Sequence, residues 1–296
     1  YAEGLLGQPA LVNPVLAESE ADRSLMRLIF GKLEDLTDQL AREGESQTWK
    51  VRLKENLVWS DGEKLTSNDV VFTIQKIQEE EAQLSLTPGW LTVTAERLSE
   101  LEIKVRGPEA ALEFQDRLKN LYILPKHIFQ AVPITNWRIS DYTLSPVGSG
   151  LYRFEAYKKD KKGWVTDYEL RANPDYTGEK PLIETINFRF YRSEESLIEA
   201  FNQGRIDGFG GLGLRAWEKI KRPYEKLAFP LASDTAVFIN QARHPALKEL
   251  SVRKALDILA PKEKLVAEIL GEEGKVAHGP LGGILNLEAE GVSQET

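Results

Sequence analysis

The stretch Thr48-Trp49-Lys50-Val51-Arg52-Leu53-Lys54, followed shortly by Trp59-Ser60-Asp61-Gly62-Glu63-Lys64-Leu65-Thr66-Ser67-Asn68-Asp69-Val70-Val71-Phe72-Thr73-Ile74, reads as strand, turn and capped helix in direct succession. Trp49, Val51 and Leu53 share one face and Lys50, Arg52 and Lys54 the other, the period of a half-buried strand. Asp61-Gly62 is a turn signal. Thr66 and Asp69 have capping-box spacing, and Val70, Ile74 and Ile77 form the buried stripe of the helix that follows.

Working outward, Leu101, Ile103 and Val105 alternate with Glu102, Lys104 and Arg106 as a second strand. The stretch 108–120 has a helical pattern with Leu112 and Leu118 inward, and Pro125 opens a short turn over 126–130. Upstream, Asn13-Pro14 favours a turn, and a helix from Asp22 carries Leu25, Leu28, Ile29 and Leu33 on one side. Downstream, Ser145-Pro146-Val147-Gly148-Ser149-Gly150 is a loop. A hairpin follows, with strands at Tyr152–Tyr157 and Asp167–Ala172 and a charged tip at Lys158–Gly163. Ile186, Phe188 and Phe190 mark another strand. Ser193 caps a helix that stops near Gly204, and Ile206-Asp207-Gly208-Phe209 is a short strand. From Ala236 to Asn240 an apolar run predicts a fully covered strand. Val252, Leu256 and Leu259 then lie on one helix face, and Pro261 starts a last helix closed by Gly271. Strands and helices interleave throughout, so the class is α/β or mixed α+β.

The 296 residues, 42% apolar and 28% charged, suit a folded protein of two or three domains. With 38 Lys+Arg against 46 Asp+Glu, the net charge of −8 argues against a nucleic-acid partner. The absence of Cys excludes disulfides, thiolate nucleophiles and Cys-ligated metals. His127, His244 and His278 are too scattered for a metal-binding frame, and no cofactor is expected. Gly148-Ser149-Gly150 precedes a strand and lacks Lys-Ser/Thr, so it reads as a structural turn rather than a phosphate loop. Asp61, Glu63 and Asp69 bracket a turn and a helix start and read as backbone caps. No nucleophile–base pair emerges, so an enzyme is not expected. Trp90 follows the turn Thr87-Pro88-Gly89, where an aromatic can be either a ligand wall or a core plug.

Taken in order, the two opening segments, then Ser145 through Phe154, Asn173-Pro174-Asp175-Tyr176, Gly204-Arg205-Ile206-Asp207 and Ser251-Val252-Arg253-Lys254-Ala255-Leu256 form a set. The set resembles the extracellular solute-binding protein family 5 of ABC importers, the oligopeptide-, dipeptide- and nickel-binding proteins. Each motif is weak alone; all in register, from Asn13-Pro14 to about Pro280, they are strong. The chain departs from the family pattern where it stops at Thr296, where it lacks a lipoprotein signal and Cys, and around Thr37–Glu45, which lacks the usual Pro-x-Leu-Ala.

The resemblance implies a bilobal fold like the type II periplasmic binding proteins, with an inserted domain and an incomplete third lobe. The first lobe would combine 1–38 with 145–232, the inserted domain would be 39–144, and 233–296 would begin the closing lobe. It implies an extracytoplasmic protein, tethered as a lipoprotein in full-length form, and a monomer. That protein would capture peptides between its lobes and pass them to ABC permease subunits by hinge closure. A nickel chelate or an oligosaccharide is the alternative cargo, and a hydrolase the remote one. Peptides would be held through their backbone by added-strand pairing along Leu16, Ala17, Glu18, Ser19 and Glu20. Trp90 falls where the family often places a cleft aromatic, and Phe238 and Asn240 sit on the strand entering the third lobe.

Overall fold

In a computed structural model, residues 1–79, 84, 86–108, 113–227, 235–271 and 274–277 are described. The chain divides into two compact units, Tyr1–Gly210 and Gly211–Thr296. The expected boundary at 232–233 and the side chain of Leu112 lie outside the described residues.

The first unit runs β1 (Ala2–Leu6), α1 (Glu20–Ile29), β2 (Thr37–Arg42), β3 (Thr48–Leu53), α2 (Ser67–Ile77), β4 (Thr94–Arg97), β5 (Glu102–Arg106), α3 (Phe114–Lys119), α4 (Lys126–Phe129), β6 (Tyr152–Lys159), β7 (Val165–Ala172), β8 (Thr185–Tyr191), α5 (Glu194–Asn202) and β9 (Gly208–Phe209). Two sheets result. One has the order β6-β7-β8-β1-β9 and the other β2-β3-β5-β4. The second is wholly antiparallel. In the first, β1 lies parallel between β8 and β9, and β6-β7-β8 form an antiparallel meander.

Local chemistry accounts for the elements. On β3, Trp49, Val51 and Leu53 are buried while Arg52 is exposed, so the alternation sets the register against β5. Both oxygens of the Thr66–Asp69 box engage, with Asp69 Oδ2 accepting from Thr66 N at 2.8 Å. Asp69 Oδ1 accepts from Lys126 N at 2.9 Å and so joins the start of α2 to α4. Asp69 is 4% exposed, and this desolvation raises its carboxyl pKa against the hydrogen bonds that lower it. The stripe Val70, Ile74 and Ile77 is buried as expected. A second capping box, Ser19 with Asp22, opens α1 two residues before Asp22 itself. Asn202 ends α5, and Gly204 follows at φ +70°, a left-handed position that glycine fills without strain.

The Gly-Ser-Gly loop is structural. Gly150 N donates to Ile29 O at 2.7 Å, and a Cβ on Gly148 would stand 2.1 Å from that same carbonyl oxygen. The loop therefore packs on the carbonyl end of α1, where an anion is disfavoured. One continuous core joins both sheets, with Leu25, Ile29, Trp59, Ile74, Phe114 and Tyr168 among its fully buried side chains.

The second unit differs. The α-helices among its described residues are α6 (Leu214–Trp217), α7 (Leu250–Leu259) and α8 (Lys262–Ile269). No residue of α7 or α8 is buried. The expected strand Ala236–Asn240 is irregular backbone, with Val237 90% and Phe238 94% exposed. A covered strand needs ladder partners and two apolar walls, and the described residues of this unit contain no strand.

Candidate functional site

Strand topology picks out one end of the five-stranded sheet. The crossover β8–α5–β9 passes over β1, so the three strands run parallel; β8 and β1 end side by side at Tyr191 and Leu6, and β9 ends at Phe209, opposite Gly4. Ligands of open α/β sheets bind outside such carboxyl ends. The chain leaving β1 is held firmly. Gly7 N donates to Tyr191 O at 2.9 Å, and Gln8 Oε1 accepts from Val165 N at 2.8 Å. Asp22 Oδ1 accepts from Ala10 N at 2.7 Å and Leu11 N at 2.8 Å, which ties this loop to the start of α1.

The next turn positions the expected binding segment. Asn13 is fully buried; its carbonyl accepts from Leu16 N at 3.2 Å and Ala17 N at 3.0 Å, and its Oδ1 from Val15 N at 3.0 Å. Leu16 is buried, Ala17 half-buried and Glu18 exposed. Glu18 is held from two sides: its carbonyl accepts from Arg23 Nη1 at 2.6 Å and its carboxylate from Arg138 Nη2 at 2.7 Å. Among the described residues, nothing pairs with Glu18 N–H or with the carbonyls of Leu16 and Ala17. The expectation of an edge over all five residues is corrected: the segment is not a ladder strand, and the capping box commits Ser19 and Glu20 to α1. Among the described residues, the unpaired backbone groups of this segment are the Leu16 and Ala17 carbonyls and the N–H groups of Glu18 and Glu20, the last at the first turn of α1.

Trp90 resolves to the core reading, not the cleft wall. It is 2% exposed and packs edge-on against Phe114 at 5.8 Å between ring centroids, with Trp49 on Phe114 at 5.0 Å. Its carbonyl accepts from Gln78 Nε2 at 2.7 Å, so the turn that carries it is stitched to the end of α2. Phe238 and Asn240 lie in the second unit, where Asn240 Oδ1 accepts from Ala242 N at 3.0 Å in a local turn.

Other chemistry is sparse. His127 Nε2 lies 2.8 Å from Asp61 Oδ2, and its ring stands 6.2 Å from that of Trp59. This pair pins the Trp59–Gly62 turn to α4, and sequence spacing gave no hint of it. Asp61 also accepts from Glu63 N at 3.2 Å, the expected capping role. A groove of about 570 Å³ beside the four-stranded sheet is lined by Arg52, Asn56, Leu57, Lys64 and Glu100 among others, and by none of the expected site residues. No group of three or more His, Cys, Asp or Glu among the described residues could hold a metal ion.

The family model of bacterial extracellular solute-binding proteins, family 5 Middle, matches residues 12–295. The oligopeptide-binding protein AppA of Bacillus subtilis is 23% identical over 294 residues, which cover 94% of this chain and 52% of AppA. Protein XP55 of Streptomyces lividans is 24% identical over 93% of this chain and 48% of its own length. The chain thus spans about half the length of these curated relatives. Among solved structures, B. subtilis AppA in complex with a nonapeptide superposes with a TM-score of 0.75 at 22% identity, covering 94% of this chain and 57% of that one. NikZ of Campylobacter jejuni in complex with Ni(L-His) gives 0.76 at 22% identity, with the same coverage. The mixed α/β architecture with two sheets is the type II fold of these neighbours.

Proposed function

The chain belongs to the bacterial extracellular solute-binding proteins of family 5, and on that premise we propose that it is part of the extracytoplasmic substrate-binding subunit of an ABC importer, with peptides as ligand. The subunit works as a monomer, captures peptides without altering them, and hands them to permease subunits; a lipid tether on the full-length protein holds it at the membrane. The five-stranded sheet belongs to the first lobe, the four-stranded sheet to the inserted domain, and the second unit contributes to the closing lobe, Phe238 and Asn240 being its ligand contacts.

The observation that carries the peptide reading is the unpaired backbone of Leu16–Glu18. Leu16 is anchored in the core and Glu18 is fixed by Arg23 and Arg138, so the segment that carries a free donor and two free acceptors is held in place. An extended peptide satisfies such groups whatever its side chains, which suits one site to many sequences. A chelated metal or a sugar would draw instead on side chains.

Replacing Glu18 with Pro removes the free N–H and no hydrogen bond made by it within the protein. Peptide affinity is expected to fall about tenfold, the worth of one backbone hydrogen bond, while Glu18→Ala, which keeps the N–H, changes it less. Calorimetry with a peptide mixture measures both. Equal losses from the two substitutions would place the effect in the carboxylate and remove the strand-pairing role.

A further inference from the structure

The tip of the β6–β7 hairpin is a concentrated positive patch on an acidic chain. Lys158, Lys159, Lys161 and Lys162 are all exposed, whereas the whole chain carries a net charge of −8. Among the described residues, Lys158, Lys161 and Lys162 have no side-chain partner, and Lys159 has the Tyr157 ring alone, with its Nζ 5.1 Å from the centroid. The one carboxylate in the turn, Asp160, is occupied elsewhere. Its Oδ1 accepts from Lys162 N at 2.8 Å and Trp164 N at 3.0 Å, and its Oδ2 from Arg192 Nη2 at 2.9 Å. Arg192 also stands 4.7 Å over the Trp164 ring, which places a fifth cation at the base of the tip. The turn is rigid: Asp160 N donates to Trp164 O at 2.8 Å, Gly163 takes φ +83°, and Val165 N is held by Gln8.

Lysines often protect the exposed edge of a sheet, and β6 is an edge strand. That accounts for Lys158 and Lys159. It does not account for Lys161 and Lys162, which lie in the turn beyond the last ladder pair, Lys159 with Val165. A protein partner is a poorer fit, because interface cores favour Arg and are depleted in Lys. Flexible ammonium groups, one of them beside an aromatic ring, suit diffuse negative charge at a lipid headgroup layer.

We propose that the Lys158–Trp164 hairpin tip docks on the surface of anionic phospholipid bilayers. The acidic remainder of the chain is repelled by that surface, so the tip also orients the molecule on it. This goes beyond the ligand reading above and does not depend on which solute is carried.

Sedimentation with vesicles tests it. At low salt the protein is expected to pellet with vesicles of phosphatidylglycerol and phosphatidylcholine in equal parts, to be released by added salt, and to stay in solution with phosphatidylcholine alone. Each lysine near the surface is worth roughly fivefold in partitioning, so K161E/K162E is expected to lower binding by more than about twentyfold. K254E/K264E makes the same charge change on α7 and α8, and is expected to leave most of the binding intact. Circular dichroism confirms that both variants fold. Three results overturn the proposal: equal binding to phosphatidylcholine alone, no loss in K161E/K162E, or an equal loss in K254E/K264E. Absence of binding to either vesicle overturns it too and turns attention to a protein surface.

Discussion

The two units of this chain follow the same local rules to opposite ends. In the first, α2 places Val70, Ile74 and Ile77 in the core and ties its start to Lys126 through Asp69. In the second, α7 has an equally regular stripe, yet Leu256 remains 47% and Leu259 77% exposed. Amphipathic periodicity makes a helix capable of burial; only a complementary surface completes it. The first unit has that complement from both its sheets. The described residues of the second contain no sheet at all.

The contrast is broken most forcefully at Trp90. Truncating a fully packed tryptophan costs about 3–5 kcal/mol, so Trp90→Ala is expected to destabilise the first unit by that much in urea unfolding. Unaltered stability together with weakened peptide binding would restore Trp90 as a cleft wall. Gly148→Ala comes next. The new methyl meets the Ile29 carbonyl rather than a movable side chain, and overpacking of that kind costs about 1–3 kcal/mol. Surface substitution in the second unit stands at the other extreme. Ile258 is 81% exposed, so Ile258→Ser is expected to shift stability by no more than about 0.5 kcal/mol. Hydrogen exchange sharpens the same point: amides of α7 and α8 are expected to exchange far faster than those of α1 and α2. Comparable protection would mean that the second unit has a core of its own.

What could be read from the sequence follows this division. The Thr66–Asp69 and Ser193 caps, the β3 and β5 alternations and the hairpin depend on residues close in the chain, and local pattern exposes them. Contacts between distant residues left no such trace. Arg138 reaches Glu18 across 120 positions and His127 reaches Asp61 across 66, each pair joining elements whose packing no local pattern specifies. Trp90 shows the intermediate case. The turn before it was legible, but its burial comes from Phe114 and Gln78 on other elements. The run Ala236–Asn240 has the apolar character of a covered strand, but that character does not supply the neighbours a strand requires. At the candidate site, Asn13-Pro14 announced the turn. The commitment of Ser19 and Glu20 to α1 left a signal that the expected five-residue edge overlooks, the capping-box spacing of Ser19 and Asp22, and it is this box that takes the last two residues of the expected edge into a helix.

The smallest expected signal separates the units by pH. The first unit buries Asp69, whose carboxyl pKa is raised chiefly by desolvation, while no carboxylate among the described residues of the second is buried. A raised pKa in the folded state means that the native protein holds this proton more tightly than the unfolded chain, for which the value is about 3.9. Stability from this group is therefore fully present below the unfolded value, falls as pH rises toward the folded value, and is level above it. Denaturant titrations of wild type and Asp69→Asn across that range isolate the effect, because Glu3, whose pKa burial also raises, titrates in both proteins and cancels. Wild type is expected to gain stability relative to Asp69→Asn as the pH is lowered from neutral toward about 4. A difference that moves the other way would mean that the hydrogen bonds from Thr66 and Lys126 outweigh desolvation, and that the cap stabilises the ionised carboxylate.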